Sequence, residues 1–263
     1  MGIVIKSPAE IEAMRRAGQI NARALYEMSL AVRAGVTTLE LDRIAAAVLA
    51  RHGATPAFLN YPNRTYPEHP YPAVINASIN GELVHGLPSR RRLKTGDILS
   101  LDCGAIHGGF VGDSAITVPV GTVSDEARRL IATTAEALEV GIAQCVSGKR
   151  LGDVSAAIQA YAEERGYQVA REYTGHGVGR DMHEEPDVPN WGKPDRGVVL
   201  KPGMVLALEP MLIVGSNALY TKTSNHWTVA TVDGSLCAHF EHTIAITEQG
   251  PDILTKWEET WTK

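Results

Sequence analysis

The chain has 263 residues, of which 44% are hydrophobic and 21% are charged, and its net charge is −5. This balance excludes an intrinsically disordered chain, and the negative charge argues against a general nucleic-acid binder. The three cysteines form no CxxC pair and no secretory signal precedes Lys6, which predicts a reducing, cytoplasmic location. No stretch is long and apolar enough to span a membrane.

The first half of the chain predicts two helices followed by strands. Residues 7–10 (SPAE) are a capping box with proline at the first helical position, and the amphipathic pattern behind them predicts a helix to about Arg33. Thr37 caps a second helix that ends at about His52. Strand-like segments then run from about residue 73 to residue 118, divided by glycine-containing turns.

The same order of elements repeats in the second half. Ser124 opens a helix to about Val146, and a fourth helix runs from Gly152 to about Arg165 before further strand-like segments. A shift of 113 positions places the glycines at 35 and 53, which end the first two helices, on those at 148 and 166. The repeat predicts one α+β domain of residues 1–263, built from two α-α-β halves, residues 1–120 and 121–263, with helices outside the sheet.

Three acidic residues lie in or beside apolar runs that are typical of buried strands. Asp102 lies in ILSLDCGA, Glu209 in VLALEPMLI, and Glu241 precedes TIAI. A carboxylate buried without a partner costs several kcal/mol or more, so it must be protonated, paired with a cation or bound to metal. None of the three runs contains lysine or arginine. The pattern therefore predicts a metal site.

A fourth acidic residue, Asp113, follows Asp102 across a predicted hairpin whose turn lies in IHGG, residues 106–109. A turn centred on residues 107 and 108 would place the two aspartates directly opposite each other. Their Cβ atoms would then be about 4.5–5.5 Å apart, which suits two metal ions about 3.5–4 Å apart. A turn centred on residues 108 and 109 would instead pair Asp102 with Ala115. The sequence leaves both registers open.

The surroundings of these residues resemble a known family. His176 lies in YTGHGVGRDMHEEP, residues 173–186, where glycines allow the backbone to approach a ligand and a second histidine follows seven residues later. With LDCG, GDS, LEP and FEHT around the four acidic residues, this stretch resembles the type I methionine aminopeptidases of the pita-bread fold. The resemblance covers essentially the whole chain. It implies two pseudo-symmetric halves that share a curved, mainly antiparallel sheet.

The resemblance implies a centre for two divalent metal ions. Asp102 would chelate one ion, and Asp113 and Glu241 would bridge both. His176 and Glu209 would complete the second site. Four carboxylates also offset the four positive charges of two divalent ions, and oxygen-rich ligation with one imidazole suits manganese, iron or cobalt at least as well as zinc. A water bridging the ions would have its pKa lowered toward neutrality and act as the nucleophile.

Two further histidines match the non-ligand histidines of the family. The resemblance implies that His183 hydrogen-bonds the substrate carbonyl and the oxyanion formed from it, and that His85, in LVHGLP, contacts the scissile peptide nitrogen. Donors aimed at developing charge are worth about 3–4 kcal/mol each. Glu209 is implied to carry the proton from the water to the leaving amine. His85, His183 and Glu209 are thus the predicted catalytic residues.

The resemblance also implies the substrate. The enzyme would remove the N-terminal methionine of nascent proteins, with preference for a small second residue. The methionine side chain would enter an apolar pocket, whose predicted lining is Phe58, Tyr61, Tyr71, Met182 and Trp227. Nascent polypeptide N-termini are therefore the expected partners. A transient ribosome contact through the basic run at residues 90–94 (RRRLK) and a monomeric state are further expectations.

The chain departs from the family pattern at two points. Residues 62–70 (PNRTYPEHP) form a longer link between Tyr61 and Tyr71 than the family has. Four prolines from 62 to 72 favour a stiff, extended loop, which is expected to form a lid over the methionine pocket. Asn76 stands where many relatives carry a cysteine, which would make the pocket more polar.

Two other functions on the same scaffold stay open. A pita-bread hydrolase that cleaves before proline would keep the five ligands, but such enzymes generally carry a large N-terminal domain, and the first helix here begins at about Ser7. A non-catalytic relative that binds ribosomes or RNA would have lost metal ligands, whereas this chain keeps all five and both histidines. The sequence therefore favours an enzyme.

Overall fold

The structure is a computed structural model that describes residues 2–256. Within this range it contains four α-helices: α1 (Pro8–Ala31), α2 (Thr38–Arg51), α3 (Asp125–Ile142) and α4 (Leu151–Glu163). The predicted caps Ser7, Thr37 and Ser124 are confirmed, because each side chain accepts a hydrogen bond from a backbone N–H in the first turn of its helix. No helix in the described range is long and apolar enough to cross a membrane.

Three helices end two or more residues earlier than the sequence pattern predicts, and one of them is α4, which ends at Glu163 rather than at residue 165. α1 ends at Ala31 rather than at residue 33, because Val32 already adopts an extended conformation with φ −67° and ψ 116°. α3 ends at Ile142 rather than at residue 146. There the backbone N–H groups of Gln144 and Cys145 bond to carbonyls three residues earlier, so the last turn tightens and the helix stops.

The strands are short except for one long hairpin. In the first half they are β1 (Thr55–Pro56), β2 (Ile75–Ile79), β3 (Glu82–Val84), β4 (Ile98–His107) and β5 (Phe110–Pro119). In the second half they are β6 (Gln168–Val169), β7 (Gly175–Gly177), β8 (Glu184–Val188), β9 (Val205–Leu208), β10 (Met211–Ile213), β11 (Leu219–Thr221), β12 (Val229–Thr231), β13 (Cys237–His239), β14 (Glu241–Thr247) and β15 (Gly250–Ile253).

One antiparallel sheet of nine strands runs through both halves. Its main path is β1-β4-β5-β14-β9-β7-β8, with β2 paired to β4 and β15 paired to β14. The halves join where β5 pairs with β14, with Ala115 opposite Glu241 and Ser114 opposite His242. Two smaller sheets, β13-β10-β6 and β11-β12-β3, complete the strand pairing. The α+β class and the two-half organisation predicted from the sequence are confirmed.

The long hairpin settles the register that the sequence left open. Gly108 and Gly109 both have positive φ, at 59° and 79°, which is the requirement of a two-residue turn centred on them. Asp102 therefore lies opposite Ala115, and Asp113 lies opposite Gly104. The direct opposition of the two aspartates is wrong. They are diagonal neighbours on one face, where Cα atoms in such sheets are about 7–8 Å apart.

The helices cover one face of the sheet and leave the acidic residues on the other. In β4, Leu101 and Cys103 pack in an apolar cluster with α1 and α2, so the intervening Asp102 points to the opposite face. In the second half, Leu206 and Leu208 pack with α3 and α4 in the same manner. A third cluster contains Met14 of α1 together with residues from both halves and therefore ties the halves together.

Close contact between α1 and β5 depends on glycine. A Cβ atom on Gly112 would lie 2.4 Å from the backbone nitrogen of Gly18, so neither strand nor helix could stay in place with a larger residue. At this contact Asn21 of α1 donates its side-chain N–H to the carbonyl of Gly112, 2.8 Å away. The hairpin that carries the two aspartates is thereby fixed to the first helix.

Candidate metal centre and active site

Five buried or nearly buried side chains meet on the sheet face opposite the helices. Asp102 comes from β4, Asp113 from β5, His176 from β7, Glu209 from the residue after β9, and Glu241 from the start of β14. All five line the same cavity. We call this set the carboxylate cradle. The strand pattern explains Asp102, which lies between Leu101 and Cys103, and Glu209, which follows Leu208, because these apolar residues pack in the clusters under the helices.

The cradle side chains lie within reach of a common cation. His176 Nε2 is 3.8 Å from Asp113 Oδ2 and 3.7 Å from Glu209 Oε1. One ligand atom each from Asp113, His176 and Glu241 lies within 4.8 Å of the other two. Among residues 2–256, the cavity lining includes no lysine or arginine. The protein itself therefore supplies no side-chain cation for these carboxylates beyond the imidazoles.

Burial and mutual repulsion disfavour the charged form of the acidic residues. Burial raises the pKa of Asp102 to about 7. Burial, followed by repulsion from neighbouring carboxylates, raises the pKa values of Asp113, Glu209 and Glu241 well above their ordinary values. Asp102 Oδ1, Asp113 Oδ1 and Glu241 Oε1 are buried without a hydrogen-bond partner in the described part of the chain. A bound divalent cation would satisfy these oxygens and replace the protons.

His176 is prepared to bind a cation as a neutral ligand. Its Nδ1 lies 2.9 Å from the carbonyl oxygen of Gly177, and a carbonyl only accepts, so Nδ1 carries the proton and Nε2 presents a lone pair to the cradle. Burial, reinforced by His183, lowers the pKa of His176 to about 3. Three orphaned carboxylate oxygens and one neutral imidazole thus fit a divalent metal site.

His183 stands beside the cradle and is held by Tyr61. The rings of His176 and His183 have centroids 4.2 Å apart, and Tyr61 Oη is 2.6 Å from His183 Nδ1. Burial raises the pKa of the Tyr61 hydroxyl, which therefore stays protonated and can donate to Nδ1. Donation there leaves the imidazole proton on Nε2. Desolvation by the surrounding protein, followed by the charge of Arg64, lowers the pKa of His183.

His85 lines the same cavity. Its backbone adopts a left-handed conformation with φ 57°, and its ring meets those of Tyr173 and Trp227 edge to face at 5.8 and 6.1 Å. Burial, followed by repulsion from His183, lowers the pKa of His85 to about 4. Both histidines are therefore neutral near pH 7 and can act as hydrogen-bond donors or acceptors.

The predicted apolar pocket adjoins the cradle. Its five residues, which we call the pocket wall, all line the cavity: Phe58, Tyr61, Tyr71, Met182 and Trp227. Tyr71 packs edge to face against Phe58 and Trp227, with ring centroids 6.4 and 5.0 Å away. Its hydroxyl is turned away to donate to the carbonyl of Ile75 at 3.0 Å, so the ring contributes an apolar surface.

The long link at residues 62–70 lies beside this cavity. Pro62, Asn63 and Arg64 line the cleft outside the cavity, and the lining of the cavity itself contains none of residues 62–70. The predicted polar effect of Asn76 is local: its side-chain N–H donates to Asp102 Oδ2 at 2.6 Å. It therefore orients a cradle residue while it also lines the cavity.

A profile of metallopeptidase family M24 matches residues 12–248. The chain belongs to metallopeptidase family M24. A methionine aminopeptidase from Clostridium acetobutylicum is 49% identical, with alignment over 97% of this chain and 100% of the relative. The M24 assignment therefore covers nearly the whole chain.

Solved structures give the same assignment and the fold. The crystal structure of a methionine aminopeptidase from Thermotoga maritima is 44% identical, has a TM-score of 0.93, and matches 97% of this chain and 100% of that chain. A Xaa-Pro dipeptidase from Bacillus anthracis has a TM-score of 0.75 at 25% identity, and the match covers 97% of this chain and 62% of that chain. The pita-bread fold predicted from the sequence is confirmed.

The M24 site contains one buried histidine that the sequence motifs did not indicate. His239 is 2% exposed, and its Nε2, which has no hydrogen-bond partner in the described chain, lies 3.6 Å from Glu209 Oε2 and 3.9 Å from Glu241 Oε2. His239 lies two residues before Glu241, and alternate residues of an extended chain share a face. This spacing could have indicated that His239 faces the same cavity as Glu241. The break between β13 and β14 at Phe240 obscured it.

Proposed function

We propose that this M24 enzyme is a methionine aminopeptidase that removes the N-terminal methionine from nascent proteins. The observation that carries the proposal is the convergence in one cavity of the carboxylate cradle, two neutral histidines and the apolar pocket wall. The named relatives, whose similarity extends over almost the whole chain, support the same activity.

The cradle residues Asp102, Asp113, His176, Glu209 and Glu241 would hold two divalent ions. The orphaned oxygens and the raised carboxyl pKa values support a cation there, and the four carboxylates match the charge of two such ions. Manganese, cobalt and iron suit this donor set as well as zinc does. When bound, such ions lower the pKa of a water toward neutrality and make a hydroxide nucleophile available near pH 7.

The chain's own residues complete the acid–base chemistry. Glu209 would take the proton of the attacking water and return it to the leaving amine, because its carboxylate faces the cavity with a raised pKa. His183 would donate its Nε2 proton to the substrate carbonyl and to the oxyanion that forms, while Tyr61 holds Nδ1. His85 would contact the scissile peptide nitrogen.

The substrate would enter with its first side chain against the pocket wall. The aromatic and thioether groups there suit an unbranched methionine side chain. The rest of the bound peptide would lie in the adjoining cleft, which is lined by Tyr61, Tyr173 and Trp227. These large side chains leave little room beside the cavity, which supports a preference for a small second residue. Recognition of the amine as a neutral nitrogen would restrict the enzyme to N-termini.

We further propose that the enzyme is a single catalytic domain, acts as a monomer and resides in the cytoplasm. Cys103, Cys145 and Cys237 are buried free thiols, as expected in a reducing compartment. A transient ribosome contact would use Arg90, Arg91, Arg92 and Lys94, which are exposed. Reversing these four charges should weaken salt-dependent co-sedimentation with ribosomes, and unchanged co-sedimentation would contradict the contact.

The activity is tested with metal-stripped protein on the peptides Met-Ala-Ser and Met-Pro-Ser. Manganese, cobalt, iron or zinc is added back singly, and Glu209→Gln serves as the matched variant because it keeps the shape and removes the proton acceptor. We expect release of free methionine only with metal and intact Glu209. Replacement of the second residue by leucine should lower kcat/KM.

Two outcomes would contradict the proposal. Cleavage of Xaa-Pro peptides without a preference for methionine would assign the enzyme to the proline-directed branch of M24. Tight metal binding without turnover of any of these peptides would indicate a binding protein on the same scaffold.

A further inference from the structure

Residues 62–70, the inserted segment, leave the pocket wall at Tyr61 and return to it at Tyr71. The base of the segment is closed by two backbone hydrogen bonds. Tyr71 N donates to Tyr61 O at 2.9 Å, and Asn60 N donates to Tyr71 O at 2.7 Å. These bonds hold the backbones of Tyr61 and Tyr71 next to each other at the base of the segment.

The inserted segment is bound to a loop of the second half, residues 222–228. Asn63 is 9% exposed, and its side-chain N–H donates to the carbonyl of His226 at 3.0 Å. The side-chain oxygen of Asn63 accepts from the backbone N–H groups of Thr65 and Tyr66 at 3.0 and 2.9 Å, so it also shapes the segment. The ring of His226 lies against His69 at 4.5 Å and against Tyr66 at 4.4 Å.

These contacts end on Trp227, which belongs to the pocket wall. The indole Nε1–H of Trp227 donates to the carbonyl of His69 at 2.9 Å. The same ring meets Tyr71 and His85 edge to face at interplanar angles of 89°. Trp227 is only partly buried, so its outer edge is held by the inserted segment and its inner edge faces the cavity.

We propose that the inserted segment determines first-residue specificity by fixing Trp227 in the pocket wall. This inference rests on the proposed aminopeptidase function, since it assigns the selectivity of that same pocket. If the side chains of the pocket wall cannot move, the pocket accommodates the unbranched methionine side chain and excludes branched side chains of similar size. A single methylene in an apolar pocket is worth about 10- to 200-fold in selectivity, but only if the wall stays in place.

The position of His226 allows a clean test of the attachment. Its backbone is left-handed, with φ 61°, a conformation that asparagine adopts readily. His226→Asn therefore removes the ring contacts with His69 and Tyr66 and leaves the backbone unstrained. Asn63→Ala removes the hydrogen bond to the loop together with the two bonds that Asn63 Oδ1 accepts within the segment. Thr65→Ala is the matched control in the same segment, because the hydrogen bond of Thr65 to Asn63 uses its backbone N–H.

The experiment measures KM and kcat of the manganese-loaded full chain on Met-Ala-Ser, norleucyl-Ala-Ser and Leu-Ala-Ser. For Asn63→Ala and His226→Asn we expect KM for the methionine peptide to rise about three- to tenfold, the range for loss of a hydrogen bond or an aromatic contact that holds the wall, with kcat within about twofold. The ratio of kcat/KM for methionine over leucine should fall by a similar factor. Thr65→Ala should match the wild type.

A double-mutant cycle identifies Trp227 as the route of the effect. Trp227→Phe keeps an aromatic ring and loses the N–H donor, so Asn63→Ala should change the methionine-to-leucine ratio less than about twofold in that background. The melting temperature and the manganese affinity of each variant show that it is folded. If Asn63→Ala does not fold, His226→Asn decides.

Three results would overturn the inference. The ratio could stay within twofold of wild type in both variants, it could fall equally in Thr65→Ala, or it could fall fully in the Trp227→Phe background. In all three cases an active wild type leaves the proposed aminopeptidase function standing. A wild type that releases no methionine with any metal would overturn both.

Discussion

The carboxylate cradle and the pocket wall share one cavity but are built from different parts of the chain. The cradle residues belong to the paired strands of the central sheet or directly follow one of them. Trp227 and Tyr61 of the wall belong to loops and are held by long-range hydrogen bonds to His69 and His183. In the proposed enzyme, the chemistry would depend on the strands of the sheet and the selectivity on the loops.

The largest test of this comparison removes one charge from the cradle. Asp113→Asn keeps the side-chain volume but takes away a carboxylate placed between His176 and Glu241, so we expect loss of metal binding and a fall in kcat/KM of at least about 1000-fold. Manganese titration by calorimetry and methionine release measure the two effects. The exposed Asp125→Asn serves as the control. Full activity with bound metal in Asp113→Asn would contradict the ligand assignment.

Removing the predicted oxyanion donor should separate chemistry from metal binding. We expect His183→Ala to lower kcat by about 100- to 1000-fold, the effect of losing one oxyanion donor, while manganese affinity stays at the wild-type value. Steady-state kinetics and calorimetry on the same preparation check both numbers. His52→Ala, at an exposed histidine, is the control. A parallel loss of metal affinity would make His183 part of the cradle instead.

His239 should contribute through the carboxylates that it faces. Nε2 faces Glu209 at 3.6 Å and Glu241 at 3.9 Å, so an N–H at this atom would stabilise the ionised form of these carboxylates. We expect His239→Leu to weaken manganese binding or activity about 10- to 100-fold, the usual range for a partner of metal ligands. His239→Gln retains an N–H donor and should recover most of the loss. Equal behaviour of the two variants would point to packing alone.

The pH dependence of stability should differ between the metal-free and the metal-loaded protein. The folded, metal-free chain keeps a proton on Asp102 up to about pH 7, whereas the unfolded chain releases it near the ordinary value of 3.8. For this carboxyl the folded state binds more protons, so its contribution to stability falls as pH rises from about 4 to about 7. The buried histidines, whose pKa values are lowered by burial, contribute the opposite slope below about pH 6.5.

Calorimetric melting from pH 5 to pH 8 checks this prediction. We expect the melting temperature of the metal-free protein to fall by several degrees relative to that of Asp102→Asn, which lacks this carboxyl and keeps the histidines, since about 1 kcal/mol shifts it by about 2–4 °C in chains of similar size. Saturating manganese should reverse the slope, because metal binding requires the deprotonated carboxyls. Equal slopes for the wild type and Asp102→Asn would show that Asp102 is not protonated in the metal-free protein.

Helix starts and the cradle were easier to predict from the sequence than the hairpin register and the helix ends. Helix starts were predictable from local caps such as Ser7 and Thr37, and the cradle from acidic residues placed in apolar strands. The register of the hairpin was not predictable, because Gly108 belongs to both possible two-residue turns. Only the contacts of the folded chain select one of the two turns. Helix ends were less accurate than helix starts because tertiary contacts and tightened turns ended them.

The pocket wall and the contacts that hold Trp227 could not be predicted from local sequence patterns. The five wall residues were named through the family resemblance, and the structure brings them to one cavity. No spacing in the sequence indicated that Asn63 would reach the loop of His226, since this pairing joins residues 163 positions apart. His239 was missed because a break separates it from the strand of Glu241.

Cradle and wall should form two parts of one substrate site. Crystals of the manganese-loaded protein soaked with methionine would test it through anomalous diffraction at the manganese edge. We expect two anomalous peaks in contact with the cradle residues Asp102, Asp113, His176, Glu209 and Glu241. We also expect the methionine side chain to lie against Trp227. Manganese bound elsewhere, or methionine bound away from the wall, would contradict it.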